Sequence, residues 1–299
     1  MKRSNPKRLG DYEVHQAWEG FASIRQISSG EIMHSRTDPM EEARKLYVEQ
    51  SHLAERLREG PAASEPLIIW DVGLGAAANA MAAMECYEES AATKPLVIVS
   101  FENDLDSLRL ALAQIEDFPY LRAEAADAIL ARGEWESPGR SVSWKLLAGD
   151  FLETMKNAPA PDLVFYDMFS TKTSGTLWTY ATFRELFAAC SGRPVELFTY
   201  TCSTANRAAM LAAGFFVARG RRAGEKVETT IALAPSALPT PPGRDRELLS
   251  ADWLAKWDRS AAKFPRDVPP DERPAFEKII GEHEQFRKSV RPERLLSTT

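Results

Sequence analysis

The fold class is decided by the stretch Leu67-Ile68-Ile69-Trp70-Asp71-Val72-Gly73-Leu74-Gly75-Ala76-Ala77-Ala78-Asn79. Its apolar start, up to Trp70, predicts a buried parallel strand, and the glycine turn that follows leads into an alanine-rich helix. A glycine turn in that place lets a nucleotide cofactor approach the backbone at the carboxyl edge of a sheet. The turn alone does not say which nucleotide binds, because Ala78 stands where the dinucleotide fingerprint has its third glycine.

Composition limits the class of protein. The chain has 299 residues, of which 44% are hydrophobic and 27% charged, enough for one large domain or a domain with an appendage. It has no run of 18 apolar residues and no apolar stretch behind its basic start, so we expect no signal peptide and no membrane span. Its three scattered cysteines predict neither a disulfide framework nor a metal site, and we expect a cytoplasmic protein.

The charge does not favour a general nucleic-acid binder, since the formal net charge is −6. Basic residues are nevertheless concentrated in two places: Lys2, Arg3, Lys7 and Arg8, and Arg219, Arg221, Arg222 and Lys226. Such clusters are usually solvated surface. If RNA is bound, they are the candidates for contacts with phosphate groups.

The order of the elements predicts an α/β fold. Strand candidates at 67–72, 96–101, 143–148, 162–167 and 194–201 alternate with helical stretches at 76–89, 104–116, 179–190 and 204–213. Two further strands, 215–219 and 227–233, should pair as a hairpin. Five βα units closed by a hairpin are the order of the class I methyltransferase (Rossmann-like) sheet, which is seven-stranded and mostly parallel.

The remaining segments suggest four regions. Residues 1–60 predict a β-rich N-terminal extension and a helix that begins at Asp38-Pro39 and ends at Gly60-Pro61. Residues 61–234 would form the main domain, 235–243 a proline-rich linker, and 244–299 a tail of amphipathic helices. The tail carries Trp253 and Trp257 on one face, which could cover the core or bind a second copy or a partner protein.

Acidic residues follow three of the predicted parallel strands. Glu102 can accept hydrogen bonds from both ribose hydroxyls of a nucleoside, or can simply cap the next helix. Asp150 can accept the exocyclic amine of adenine, with the ring of Phe151 against the base. Asp167 follows the strand beside the glycine turn, where a methyl group would be transferred, and its alternative role is to cap the following loop.

Methyl transfer from a sulfonium to an amine needs a free lone pair on nitrogen. An enzyme must therefore accept the ammonium proton and hold the amine in line. Asp167 could do so, with aromatic walls from Phe169 and Trp178.

Several motifs, in the same order, resemble the MnmC methyltransferase family over about residues 25–233. They are Gly30-Glu31-Ile32-Met33-His34-Ser35, Gly73 to Asn79, Asp167-Met168-Phe169-Ser170 with Leu177-Trp178-Thr179, Thr199-Tyr200-Thr201, Ala213-Gly214-Phe215, and Gly224 and Lys226 with Glu228. That domain forms 5-methylaminomethyl-2-thiouridine at the tRNA wobble position. The resemblance covers the methyltransferase part and not the flavin-dependent oxidoreductase half of bifunctional members.

The resemblance implies S-adenosylmethionine as cofactor, tRNA as partner, no metal, and Asp167 as the catalytic carboxylate. It places the cofactor against Asp71, Gly73, Gly75, Asn79, Glu102, Asp150 and Phe151. It places the substrate against Glu31, His34, Phe169, Trp178 and Lys226, although a lone histidine is more often structural.

The sequence departs from the family at four places: Ala78, Thr171, the stretch Thr173-Ser174-Gly175-Thr176, and Gly224 to Thr229, which lacks an arginine. These departures affect the substrate side more than the cofactor side.

Three functions remain. The first is an N-methyltransferase similar to the tRNA enzyme. The second is methylation of a small amine, or aminopropyl transfer, on the same fold. The third is a non-catalytic cofactor-binding protein. A dinucleotide dehydrogenase is least favoured, because the closing hairpin and the Asp167 segment have no role in it.

Overall fold

The computed structural model describes residues 7–34, 37–59, 65–190, 192–221 and 228–287. Within that part of the chain, one large sheet has the strand order β12-β10-β11-β9-β8-β4-β5-β7-β6, and a separate small sheet has the order β1-β2-β3. The strands are β1 (Arg8–Leu9), β2 (Tyr12–Gln16), β3 (Ala22–Gln26), β4 (Leu67–Val72), β5 (Leu96–Glu102), β6 (Glu134–Glu136), β7 (Val142–Ala148), β8 (Leu163–Tyr166), β9 (Glu196–Thr199), β10 (Phe216–Gly220), β11 (Thr229–Leu233) and β12 (Glu247–Leu248).

The centre of the large sheet is parallel and its ends are antiparallel. Strands β7, β5, β4, β8 and β9 run in the same direction, and β11 turns back against β9 and pairs with β10. The predicted seven-stranded class I sheet with its closing hairpin is confirmed. The short edge strands β6 and β12 were not predicted, because two or three residues are too few to show the alternation that marks a strand.

The helices flank this sheet. They are α1 (Pro39–Ala43), α2 (Leu53–Arg58), α3 (Ala78–Glu89), α4 (Asp106–Ala113), α5 (Ala123–Arg132), α6 (Phe151–Thr154), α7 (Tyr180–Ala189), α8 (Thr204–Ala213), α9 (Ala251–Asp258), α10 (Arg273–Gly281) and α11 (Glu284–Arg287). Helix α5 was not predicted, because only one helical stretch, 104–116, was assigned between the second and third predicted strands. Among the described residues, no helix has both the length and the apolar character that crossing a membrane requires.

The first predicted helix is broken into three pieces. Asp38 caps α1 by accepting hydrogen bonds from the backbone N–H groups of Met40 and Glu41, as its position before Pro39 predicted. A π-helical segment (Arg44–Glu49) follows, and His52 then adopts a left-handed conformation with φ of 53° before α2 begins. The predicted stop at Gly60-Pro61 lies outside the described residues.

Alternate residues of each central strand pack into separate cores. In β4, Ile69 belongs to the core on one face of the sheet, while Trp70 and Val72 belong to the core on the other. The first core also contains residues of the small N-terminal sheet, and the second contains residues of the C-terminal tail. Both faces are therefore covered, which explains why β4 reads as a nearly continuous apolar run.

The described part of the tail packs on the sheet of its own chain. Trp253, Trp257 and Ile280 are all buried in the second core. The amide of Gln285 accepts a hydrogen bond from Val217 N at 2.7 Å, and donates to Val217 O and to Leu249 O, both at 2.9 Å. The tail thus satisfies backbone groups on the outer side of β10.

Candidate active site

A cavity of about 900 Å³ opens at the carboxyl edge of the parallel strands. The ends of β4, β5, β7 and β8 form its floor, and the segment around β3 covers it from the N-terminal side. Ten residues predicted for the site line this cavity: Glu31, His34, Gly73, Gly75, Asn79, Glu102, Asp150, Phe151, Asp167 and Phe169. Parallel strands end at the same edge of a sheet, so residues far apart in sequence meet here.

The turn after β4 requires glycine at Gly73. Its φ is +94°, and a Cβ atom built there would lie 2.6 Å from the carbonyl oxygen of Asp167. At Gly75, with φ of +53°, a Cβ would meet Met33 Sδ at 3.1 Å. The backbone of this turn therefore packs closely against Asp167 on one side and Met33 of the N-terminal segment on the other.

The strained alanine of the turn is the one that precedes Ala78. Ala77 is the residue in the left-handed region, with φ of 64°, whereas Ala78 is the first residue of α3. An alanine in this conformation costs about 1–2 kcal/mol relative to an ordinary one. The departure at Ala78 thus has no consequence for the turn, and the strained position is its neighbour.

Glu102 lies beside the glycine turn. Its Oε1 accepts hydrogen bonds from the N–H groups of Asn103 and Asp104, at 2.9 and 3.1 Å, and its Oε2 accepts from Gly75 N at 3.3 Å. Burial raises the pKa of this carboxyl, and the backbone hydrogen bonds oppose the increase. The side chain holds the turn after β5 and lines the cavity, but it does not cap α4, whose N-cap residue makes no side-chain hydrogen bond within the described part of the chain. The role of Glu102 toward a ribose stays a prediction.

Asp150 and Phe151 follow β7. Asp150 Oδ1 caps α6 by accepting from Leu152 N at 2.9 Å and Glu153 N at 3.3 Å. Phe151 is buried, with its ring centroid 5.1 Å from that of Phe101. The pair places a carboxylate and an aromatic edge on the same wall of the cavity.

Asp71 and Trp178 lie behind the cavity wall, where neither was expected. Asp71 is 1% exposed, and its Oδ2 accepts a hydrogen bond from Ser100 Oγ at 2.7 Å. Burial raises the pKa of Asp71 to about 7. Because Asp71 lies within β4, its side chain points into the protein interior, next to the glycine turn that follows the strand.

Asp167 is the centre of a group of buried polar side chains. Its Oδ2 accepts a hydrogen bond from Asn79 Nδ2 at 3.0 Å, so Asn79 contacts the catalytic candidate directly. Burial raises the pKa of Asp167, and the nearby charge of His34 and the Asn79 hydrogen bond oppose that increase. The buried hydroxyl of Tyr47 interacts with Asp167 electrostatically, yet it makes no hydrogen bond of ordinary geometry within the described residues.

His34 is paired with Glu42, its Nδ1 lying 2.9 Å from Glu42 Oε2. Burial alone would lower the pKa of His34, but the hydrogen bond to Glu42 and the charges of Glu42 and Asp167 outweigh burial and raise it. The histidine is thus favoured in its charged form between two carboxylates.

Glu31 holds the loop that follows Asp167. Its carboxylate accepts hydrogen bonds from Ser170 N at 2.8 Å, Ser170 Oγ at 3.0 Å and Thr173 Oγ1 at 2.5 Å. We expected Glu31 to contact substrate. Its carboxylate oxygens instead accept hydrogen bonds from this loop, so Glu31 affects the substrate side by holding the loop in place.

The same loop is anchored from beneath by aromatic residues. Trp178 Nε1 donates to Phe169 O at 2.7 Å, Tyr166 Oη to Leu177 O at 2.5 Å, and Tyr200 Oη to Met168 O at 2.9 Å. Trp178 therefore fixes Phe169 rather than forming the cavity wall itself.

The sequence interpretation gave no site role to Tyr47, Glu42 or Tyr200. Tyr47 was assigned to the apolar face of the first helix, although Glu41-Glu42-Ala43 with Tyr47-Val48 also resembles the helix that follows in the MnmC family, and Tyr200 lies in a further matching motif. Lys226 lies outside the described residues. Among the described residues, no group of three or more histidine, cysteine, aspartate or glutamate side chains could hold a metal ion.

Comparison with known proteins agrees with this geometry. Residues 118–235 match a family described as S-adenosyl-L-methionine-dependent methyltransferase. Together with the class I sheet and the glycine turn, this match defines the chain as an S-adenosyl-L-methionine-dependent methyltransferase.

Within that class, the chain is similar to the tRNA 5-methylaminomethyl-2-thiouridine biosynthesis bifunctional protein MnmC. It is 30% identical over 260 residues to the protein from Ectopseudomonas mendocina, and 26% identical over 250 residues to that from Chromobacterium violaceum. These alignments cover 82% and 76% of this chain, but only 37% and 34% of the relatives. The chain thus spans about a third of the length of the curated relatives it matches.

A solved structure shows the same fold. The crystal structure of MnmC2 from Aquifex aeolicus superposes with a TM-score of 0.65 at 23% sequence identity, covering 95% of this chain and 87% of the other. The two chains therefore share their fold over most of their length.

Proposed function

We propose that this methyltransferase transfers a methyl group to the primary amine of an aminomethyl-modified wobble uridine in tRNA. The observation that carries the proposal is the position of Asp167. Its backbone packs against the glycine turn at Gly73, and its carboxylate faces the cavity beside Asn79. The similarity to MnmC supplies the substrate class. Because tRNA is found in the cytoplasm, we place the protein there.

The residues around the cavity fit S-adenosylmethionine. The glycine turn at Gly73 and Gly75 exposes backbone at the cavity, and the carboxylates of Glu102 and Asp150, each held by backbone N–H groups, also line it and can accept hydroxyl and amine donors. Phe151 offers an aromatic edge for a base. When bound there, the cofactor supplies a methyl group activated by a positively charged sulfur.

Asp167 would accept the proton that the acceptor amine must lose. An alkyl ammonium ion has no free lone pair, so one proton leaves nitrogen before or during methyl transfer. A carboxylate in a buried site holds that proton better than one in water, and burial raises the pKa of Asp167 in this direction. The His34–Glu42 pair lies beside it, and the charge of His34 opposes the rise that burial causes in the pKa of Asp167.

The alternative functions make different demands on the cavity. A polyamine channel needs several free carboxylates, whereas Glu31 is engaged by its loop and Glu42 by His34. Methylation of a free small amine uses the same machinery and differs only in the acceptor. A non-catalytic protein would bind cofactor and leave Asp167 without a role.

The experiment is a methyl-transfer assay with labelled cofactor. The acceptors are tRNA carrying the aminomethyl group, unmodified tRNA and a mixture of small amines. We expect turnover only on the aminomethyl tRNA. We expect Asp167→Asn to lower kcat by about 10²- to 10⁴-fold, the usual contribution of a general base. The control is Asp127→Asn, an exposed carboxylate on α5.

Three outcomes would refute parts of this proposal. Turnover on free amines with none on tRNA would assign the second function. Cofactor binding with no turnover on any acceptor would assign the third. Full activity in Asp167→Asn would remove the proposed role of that carboxylate.

A further inference from the structure

A second, smaller cavity of about 250 Å³ lies beside the carboxyl end of β10. We call it the arginine cleft. Its lining is mostly polar: Gln50, His52, Arg219, Arg221, Ile231, Gly243, Asp245 and Arg246. Three guanidinium groups and one carboxylate thus border it, which is an excess of positive charge on a chain whose net charge is −6.

Two of these arginines are available for a ligand. The Arg219 side chain is 40% exposed, and its Nε lies 3.8 Å from Glu228 Oε2 and 3.7 Å from Glu247 Oε1, which are loose contacts. Arg221 is exposed, and its side chain makes no ion pair with any described residue. Its backbone N–H donates to Gln50 Oε1 at 2.7 Å, which fixes the start of this side chain at the cleft.

The third arginine is a structural group. Arg246 is 6% exposed at its side chain, and its Nε donates to Glu196 Oε2 at 2.9 Å. Glu196 also pairs with Arg56, so one buried carboxylate serves two cations. Burial lowers the pKa of the neighbouring His52, and the charges of Arg246, Arg244 and Arg221 lower it further. The cavity lining itself thus carries three guanidinium groups and one carboxylate, while Glu196, Glu228 and Glu247 lie beside it as partners of Arg246 and Arg219.

The cleft shares an edge of the sheet with the active site. Arg219 lies next to Gly220, at the end of β10, in register with Thr230 and through it with Thr199 at the carboxyl end of β9. From β8, which leads to Asp167, the sheet steps through β9 and β11 to β10. At about 4.8 Å per strand, three steps put the cleft about 14 Å from the end of β8.

One helical segment also joins the two cavities. Glu42 in α1 lines the active-site cavity, and Gln50, the residue after the π-helical segment, lines the cleft. The two sites are thus held at a fixed separation by a packed helix and by the sheet.

We propose that the arginine cleft binds a backbone phosphate of the substrate RNA, one or two nucleotides from the base that enters the active site. This proposal rests on the proposed function, because it takes the acceptor to be part of an RNA strand. A guanidinium fork donates paired hydrogen bonds to phosphate oxygens, and such contacts position a nucleic acid without reading its sequence. Arg219 and Arg221 would make the contacts. The buried charge of Arg246 would add to the positive electrostatic potential of the cleft.

The test compares Arg219→Gln, Arg221→Gln and the double variant with wild type. The control is Arg140→Gln, an arginine 83% exposed in the turn between β6 and β7, at the opposite end of the sheet. The ligand is an anticodon stem–loop RNA without the modification, titrated at several salt concentrations in the presence of the demethylated cofactor product. Direct binding is measured, so the result does not depend on turnover.

We expect the double variant to bind the RNA about tenfold more weakly at low salt, which equals about 1.4 kcal/mol. The slope of log K against log salt should fall by about 0.7 for each phosphate contact that is lost. Cofactor affinity, thermal midpoint and kcat at saturating RNA should stay at wild-type values, because neither arginine lies in the active-site cavity.

The proposal is overturned if the double variant binds RNA as well as wild type does, or loses no more than Arg140→Gln. It is also overturned if wild-type binding is indifferent to salt. If wild type binds RNA through these arginines but methylates no tRNA, the proposed function fails while the phosphate site stands.

Discussion

Two glycines with nearly the same positive φ allow the glycine turn after β4 to be tested with a matched pair of variants. Gly73 has φ of +94° and Gly20, at the tip of the β2–β3 hairpin, has φ of +93°. A Cβ at Gly73 would lie 2.6 Å from Asp167 O and 3.0 Å from its carbonyl carbon, whereas a Cβ at Gly20 meets nothing within 4 Å. Alanine at either position therefore carries the strain of a positive φ, and only Gly73→Ala adds a collision.

The strain for each alanine is about 1–3 kcal/mol. At Gly73, the backbone of Asp167 must also move by several tenths of an ångström, because real Cβ atoms do not approach a carbonyl oxygen so closely. Asp167 N donates to Val72 O at 2.8 Å, so movement there pulls on β4 as well. A displacement of about 1 Å at a catalytic group costs on the order of 10²-fold in rate.

The assay has two parts. Urea unfolding should show both Gly20→Ala and Gly73→Ala less stable than wild type, with Gly73→Ala the weaker. Methyl transfer should be near the wild-type rate in Gly20→Ala and about 10²-fold lower in Gly73→Ala, with weaker cofactor binding. If Gly73→Ala kept activity within a few-fold of wild type, the close packing of Asp167 on the cofactor turn would not control the chemistry.

Three further predictions follow from individual side chains. The pKa of Asp71 is raised from 3.8 to about 7, so the folded state retains a proton that the unfolded state loses, and stability should fall by about 3 kcal/mol as pH rises from 4 to 8. Urea unfolding of Asp71→Asn should lack this slope, and an equal slope in both proteins would contradict the assignment. Removing the positive charge in His34→Gln should raise the pKa of Asp167, moving the acid limb of log kcat to higher pH; an unmoved limb would show that His34 is uncharged or remote. Glu31→Gln should raise the KM for the acceptor about tenfold without changing cofactor affinity in calorimetry, because it loosens the loop at Ser170, and a change in cofactor affinity alone would place Glu31 elsewhere.

The sequence predicted the fold, and it predicted which strand ends meet at one edge of the sheet, because both depend on local patterns. Apolar runs ending in glycine or an acidic residue marked the strand ends, and strands β4, β5, β7 and β8 bring those ends to one edge. This is why Gly73, Glu102, Asp150 and Asp167 meet in one cavity. The cofactor and the enzyme class were also confirmed by the family match.

Other parts of the site could not be predicted, because they depend on side-chain direction. Asp71 and Gly73 are two residues apart, yet the pleat of β4 and the turn after it put one in the interior and the other at the cavity. Glu31 has the residue type of a ligand contact, and only the folded loop shows that Ser170 and Thr173 use its oxygens. Tyr47 and Asp167 are far apart in the sequence, and no spacing of residues predicts the electrostatic interaction between them.

The amide of Gln285 gives the tail a role that its sequence does not suggest. By bonding to both Val217 N and Val217 O, this side chain imitates a neighbouring strand where β12 has already ended. An open sheet edge is a template for pairing with another molecule, and proteins usually block it. A protein shortened at the linker would leave that edge free, so it should self-associate through β10 even if its cofactor site were intact. In the folded chain, β12 and Gln285 together cover the outer edge of β10.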